Sequence, residues 1–154
     1  MDSLHFGAGK IGRGFIGAVL SKAGYDVCFA DVNRDVVDLI NCEGRYDVHV
    51  MDEESYVETV SGVSAVDSTT DACLEAIVKA DLVTTAVSMK ILPFVAPTLA
   101  KGLGRRRAAG VAKPLNIICC ENGIRATSQL KAMVLGHMDE GLAGWAAEHV
   151  AFVD

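Results

Sequence analysis

Three glycines near the start of the chain, in Phe6-Gly7-Ala8-Gly9-Lys10-Ile11-Gly12, have the spacing G-x-G-x-x-G. Such a loop does its chemistry with backbone rather than side chains. Gly7 lets the chain turn tightly off a strand. Gly9, without a side chain, lets an anion approach the backbone. Gly12 lets the following helix pack closely on the sheet. The helix start then presents N–H groups and a positive dipole end to a pyrophosphate. The segment Gly7, Ala8, Gly9, Lys10, Ile11 and Gly12 is therefore expected to cradle a dinucleotide. Asp31 stands 22 residues beyond Gly9, near the offset of about 20 at which a carboxylate accepts hydrogen bonds from the adenosine ribose. A carboxylate there repels a 2′-phosphate and favours NAD over NADP, while Arg34, close by in sequence, works against that preference. Val32, beside Asp31, is expected along the cofactor. Gly14 and Gly17 fall inside the first helix, where each costs about 1 kcal/mol relative to Ala. That suggests close backbone packing.

Other candidates read more plainly. Thr84-Thr85-Ala86-Val87-Ser88 ends a strand, and its small residues would let a nucleotide lie across the sheet edge, with Ala86 and Val87 in contact. They equally suit tight packing. Glu121-Asn122-Gly123 follows another strand, so Asn122 either faces a ligand crevice or begins a simple Asn-Gly turn. His5 and His49 lie in strand patterns and read as hydrogen-bonded structural residues. Cys119-Cys120 reads as inert core thiols. Arg105-Arg106-Arg107, with Lys101, reads as a solvated cationic helix end. No group of His, Cys, Asp or Glu has zinc-ligand spacing, so no metal is expected. There is no nucleophile elbow, no P-loop lysine and no complete acid–base constellation. The residues can hold a dinucleotide without completing a reaction.

These residues need a frame, and the sequence supplies one by alternation. Ser3–Phe6, Asp26–Asp31, Asp81–Val87 and Leu115–Cys120 are apolar, strand-like runs. Between them come helical spacings. Ile16, Val19, Leu20 and Ala23 form one face, closed at Gly24; Val36, Leu39 and Ile40 form another, closed near Gly44. Cys73, Ile77 and Ala80 follow a Thr69 or Thr70 cap. Leu92, Val95, Ala96 and Leu99 share a face, with the helix start near Pro93 or Pro97. Leu130, Met133, Val134 and His137 mark a further helix, as do Leu142, Trp145, Ala146 and His149. Ala151–Asp154 looks like the start of another strand. Arg45–Ser68 alternates and reads as strands, a local antiparallel addition to the main sheet. Apolar strands alternating with helices imply an α/β fold, doubly wound on a mainly parallel sheet with helices on both faces.

Composition bounds the rest. At 154 residues the chain suits one domain, 1–154, and is too short for a complete two-domain dehydrogenase. It is 51% hydrophobic and 22% charged with 3 prolines, which is globular rather than disordered. The net charge of −6 argues against nucleic acid. No apolar run approaches about 20 residues, which argues against a membrane span. The 5 cysteines, an odd number without a C-x-x-C, suggest reduced thiols and a cytoplasmic setting.

Several segments together carry a family resemblance. Leu4–Gly17 (LHFGAGKIGRGFIG), Phe29–Asn33 (FADVN), Val48–Val50 (VHV), Thr59–Val66 (TVSGVSAV), Asp81–Val87 (DLVTTAV), Pro114–Asn122 (PLNIICCEN), Arg125–Lys131 (RATSQLK) and Glu148–Asp154 (EHVAFVD) resemble the mannitol-1-phosphate 5-dehydrogenases. These belong to the polyol-specific long-chain dehydrogenases. The resemblance implies a Rossmann domain that binds NAD, in an enzyme interconverting mannitol 1-phosphate and fructose 6-phosphate. It implies that Ser3–Gly14 surrounds the pyrophosphate, that Asp31 meets the ribose, and that Asn122 lies near the nicotinamide and helps stabilise the substrate oxyanion. The family's general base is a lysine in a K-x-x-x-x-N-x-x-H motif of a helical second domain, and that motif does not occur here. The chain alone is therefore expected to bind NAD(H) but to be inactive. Lys10 stands where the family often has asparagine, and Gly123 where it has a larger apolar residue. Two other readings stay open: a non-catalytic nucleotide-sensing Rossmann module, and the same domain of a related polyol or uronate dehydrogenase.

Overall fold

The computed structural model describes residues 1–51 and 55–154. Its main sheet has six strands: β1 (Asp2–Phe6), β2 (Asp26–Asp31), β5 (Ser64–Asp67), β6 (Leu82–Thr85), β7 (Leu115–Cys119) and β8 (Val150–Phe152). They lie in the order β5-β2-β1-β6-β7-β8, and every pairing is parallel. The chain builds outward from β1 in one direction, then returns to β6 on the other side. The sheet therefore reverses its winding between β1 and β6, and the carboxyl ends of those two strands border a crevice.

The strands are apolar on both faces because both faces are covered. Leu4 and Phe6 of β1 join one core with Ile77, Leu99 and Leu130 from α3 (Asp71–Lys79), α4 (Leu92–Ala108) and α5 (Ala126–Leu135). Phe29 and Val27 of β2 point the other way, into a second core with Leu20 of α1 (Ala18–Lys22) and Ile40 of α2 (Arg34–Glu43). The last helix, α6 (Glu140–His149), feeds β8 directly. This is the doubly wound arrangement that the alternation implies.

Local chemistry sets the ends of α2. The Asn33 side chain accepts from the Asp35 and Val36 amides, and Gly44 closes the helix at φ +61° while donating to the Ile40 carbonyl.

Three details differ from the sequence reading. First, residues 45–68 divide in two: β3 (Arg45–Val50) and β4 (Tyr56–Ser61) form their own antiparallel hairpin, separate from the main sheet, whereas β5 joins the parallel sheet. The part of that reading on residues 52–54 lies outside the described residues. Second, a π-helical turn, Gly12–Gly17, precedes α1. Its wider turn rotates the following face, so Gly17, Ala18 and Leu20 are buried while Val19 and Ala23 are exposed. Third, Thr70 stands at the expected N-cap position of α3, but its side chain donates to the Asp67 carbonyl and accepts from no helix amide. As expected, α4 starts near Pro93: it begins at Leu92 with Pro93 in its first turn, and Pro97 lies inside it. The expected face of α4 (Leu92, Val95, Ala96, Leu99) is fully buried.

Candidate functional site

The glycine loop is stretched between β2 and β6. The Gly7 amide donates to the Ala30 carbonyl at 2.9 Å, and the Ala86 amide donates to the Phe6 carbonyl at 2.8 Å. Gly7 sits at φ +101°, and a Cβ there would lie 2.6 Å from the Ala86 carbonyl oxygen. Only glycine meets both conditions. Gly12 is required by approach: a Cβ would run into the Gly7 carbonyl oxygen and lie 2.9 Å from His5 Nε2. Gly9 differs from both. Its φ is not left-handed, and a Cβ would meet no protein atom within 4 Å. The protein gives no reason for glycine there, and the bare backbone faces outward at the helix start. That fits an anionic group approaching from outside, as the motif's second glycine requires. Of the two further glycines, Gly17 packs tightly against Tyr46 and Phe29, whereas Gly14 has nothing nearby, so close packing accounts for only one of them.

Asp31 ties the loop to β2. Its Oδ2 accepts from the Ala8 amide at 2.7 Å and its Oδ1 from the Asn33 amide at 2.9 Å. The carboxylate thus holds the middle of the glycine loop and the entry to α2, with lone pairs left over on each oxygen.

Two cavities flank the loop. One, of about 460 Å³, is lined by Gly7, Asp31, Val32, Thr69, Ile91 and Phe94 among others. The second, of about 420 Å³, takes in Gly9, Lys10, Ile11, Ala86, Glu121 and Asn122. Val87 borders both. The structure thus gathers Gly7, Gly9, Lys10, Ile11, Asp31, Val32, Ala86, Val87 and Asn122 around one crevice. Ala8 and Gly12 are buried beneath the loop and line neither cavity. Asn122 is exposed at the mouth of the second.

Glu121 and Ser88, read in the sequence only as members of strand-end segments, have specific positions here, and Phe94 and Ile91 are contributors that the sequence reading did not single out. Glu121 accepts from Thr85 Oγ1 at 2.7 Å and from the Val87 amide at 3.0 Å, so it clamps the end of β7 to the end of β6. Ser88 sits at φ +88°, a conformation costly for any residue but glycine. Phe94 and Ile91 line the first cavity although they are 74% and 43% exposed. The available signal was a phenylalanine on the polar side of α4, opposite Leu92, Val95 and Leu99.

Other candidates are structural. His5 is fully buried, its Nδ1 lies 2.7 Å from Thr84 Oγ1, and burial lowers its pKa to about 4. Burial pushes the Cys119 thiol up to about 11 and also raises Cys120, which makes both poor nucleophiles. The arginine run is a solvated helix end only in part: Lys101 and Arg107 are exposed, but Arg106 is not. Arg106 is buried and donates to the Ile77, Val78 and Ala80 carbonyls and to the Lys113 carbonyl. Arg105 pairs with Asp71 and Glu75. Arg106 thus covers carbonyls at the carboxyl end of α3, whereas Arg105 reaches its first turn. Among the described residues no group of His, Cys, Asp and Glu could hold a metal, and no helix is long and apolar enough to cross a membrane.

Comparison with solved structures places the fold among polyol and sugar dehydrogenases. Mannitol 2-dehydrogenase of Pseudomonas fluorescens, solved as a ternary complex with NAD and D-mannitol, matches with a TM-score of 0.78 at 15% identity, over 99% of this chain and 40% of that one. A D-sorbitol dehydrogenase in substrate-free form matches with a TM-score of 0.79 at 17% identity, over 97% of this chain and 40% of that one. A UDP-glucose dehydrogenase from Pyrobaculum islandicum matches at 0.62 and 15%, over 98% and 34%. The chain spans about 40% of the length of the first two. The family described as the mannitol dehydrogenase Rossmann domain matches residues 1–154. With its winding reversal at β1 and β6 and its glycine loop at that crevice, the chain belongs to the mannitol dehydrogenase Rossmann-domain family.

Proposed function

We propose that this chain is the NAD-binding domain of an oxidoreductase that interconverts mannitol 1-phosphate and fructose 6-phosphate. The observation that carries the cofactor assignment is the glycine loop held by Asp31 at the carboxyl ends of β1 and β2, with Gly9 open to the outside. Family membership supports a polyol dehydrogenase. The phosphorylated substrate rests on the sequence resemblance alone.

NAD, when bound, supplies the hydride acceptor at nicotinamide C4. The residues here bind and orient. Backbone amides at the helix start would meet the pyrophosphate, and Lys10 adds a positive charge beside it. Asp31 would accept from the adenosine ribose hydroxyls, with Val32 beside it. Ala86 and Val87, set by Glu121, would border the nicotinamide end. The Asn122 side chain has an amide donor able to stabilise a developing substrate oxyanion. The general-base lysine expected from the resemblance has no counterpart in residues 1–154, so this chain is proposed to bind without turnover. Its free cysteines support a reducing, cytoplasmic setting.

Titration calorimetry of this chain tests the reading. NADH should bind more tightly than NADPH, and mixing the chain with NADH and fructose 6-phosphate should consume no NADH. Absence of NADH binding would overturn the assignment, and full turnover would overturn the division of labour. A second reading is the same domain in a dehydrogenase of an unphosphorylated polyol. It is favoured by the likeness to mannitol 2-dehydrogenase and D-sorbitol dehydrogenase. Rates of the full-length protein on mannitol 1-phosphate and on free mannitol separate the two.

A further inference from the structure

Arg34 stands three residues beyond Asp31, at the first position of α2. A cation so placed ordinarily meets a 2′-phosphate and would make the site tolerant of NADP. The structure gives that guanidinium another partner. Arg34 Nε donates to Asp67 Oδ2 at 3.2 Å. Asp67 is the last residue of β5 and the direct register partner of Asp31 across the β2–β5 pair. The Ser68 amide also donates to the Asp31 carbonyl, so the end of β5 is fixed against the end of β2. Ser68 and Thr69, which follow Asp67, line the same cavity as Asp31 and Val32.

The two members of the pair are held very differently. The Asp67 side chain is only 15% exposed, and its Oδ1 accepts from both the Thr69 amide at 2.9 Å and Thr69 Oγ1 at 2.6 Å. Those bonds, with Arg34 as a further cause, hold its carboxyl below the usual range. The Arg34 side chain is 80% exposed. So the carboxylate is the more restrained half, and it draws the exposed cation toward β5.

We infer that Asp67 is a specificity-determining residue for the dinucleotide: it engages Arg34, the cation that would otherwise meet a 2′-phosphate beside Asp31. This rests on the NAD-binding reading above. A 2′-phosphate would have to lie beside Asp31 and take Arg34 from Asp67, leaving that carboxylate without its cation. A ribose 2′-hydroxyl faces neither cost.

The test is calorimetric titration of the whole chain with NADH and NADPH, for wild type, Asp67→Asn, Asp67→Ser, and Asp67→Asn combined with Arg34→Ala. Thermal melts confirm that each variant folds. An exposed ion pair is a weak restraint, so Asp67→Asn should tighten NADPH by roughly two- to fivefold. NADH affinity should stay within about twofold. Asp67→Ser, which also removes the charge, should do the same. Adding Arg34→Ala should cancel the gain, because the released cation is its source. An unchanged ratio of NADPH to NADH affinity in both folded Asp67 variants overturns the inference. So does a gain that survives removal of Arg34. If wild type binds neither dinucleotide, the NAD-binding reading itself fails and this inference with it.

Discussion

At the scale of single residues, the glycine loop separates two requirements that a motif merges. Gly7 is demanded by the protein, through its positive φ and the Ala86 carbonyl. Gly9 meets no protein atom that would require it, and the proposed cofactor is what would. Gly7→Ala should therefore destabilise the fold by about 2 kcal/mol or more, as substitution at an incompatible φ does, read from the urea midpoint. Gly9→Val should leave that midpoint nearly unchanged and weaken NADH by roughly tenfold or more in calorimetry. Loss of stability in both, with affinity intact, would show that the loop serves packing alone. Asp31→Ala tests a residue with two duties. It should narrow the gap between NADH and NADPH, and it should also cost about 1–3 kcal/mol of stability, because the Ala8 amide loses its acceptor. The spacing of Asp31 was legible in the sequence. Its bond to Ala8 was not, since no spacing rule reports which amide a carboxylate reaches across 23 residues.

At the scale of elements, the order of strands and helices could be read because each apolar run had to find cover on both faces. The π-helical turn could not. Its extra residue moves the face of α1 by a fraction of a turn, and periodicity counted at 3.6 residues then selects Val19 and Ala23 instead of Gly17 and Ala18. The hairpin was legible as strands but not as a separate sheet, because alternation reports pairing without naming the partner. The arginine run shows the same limit: three adjacent cations look alike in sequence, and the fold buries one of them. Arg106 joins α4 to the end of α3 and to the Lys113 turn before β7 through four carbonyls. Arg106→Met keeps much of the stem and removes all four donations. It should cost about 3–5 kcal/mol in chemical denaturation, the range for breaking a buried charged network. A cost under about 1 kcal/mol would place Arg106 with ordinary surface cations.

At the scale of the whole molecule, stability should carry the mark of one buried imidazole. The folded state holds His5 at a pKa of about 4, below the ordinary 6.5, because burial disfavours its charged form. The unfolded chain therefore binds a proton that the folded chain refuses between those two values. Stability is complete above about pH 6.5 and falls as pH drops through the window toward 4, by up to about 1.4 kcal/mol per unit. Asp67, Asp81 and Asp154 have carboxyls held below 3.8, so their own losses begin mainly lower. Urea midpoints between pH 7 and 4.5 should show this slope, and His5→Leu should flatten it whatever its own cost. An identical slope in that variant would assign the effect elsewhere. A last consequence follows from how the hairpin is attached. The Gly62 and Val63 amides both donate to the Gly44 carbonyl, so the chain leaves the main fold and rejoins it at a single point. Near that point the hairpin is also tied to the turn after the glycine loop, through the Tyr46 hydroxyl on the Arg13 carbonyl. Length can therefore change at the far end of the hairpin, beyond Val50 and before Tyr56, without moving β2 against β5, and a homologue with a longer or shorter hairpin there would keep the same crevice.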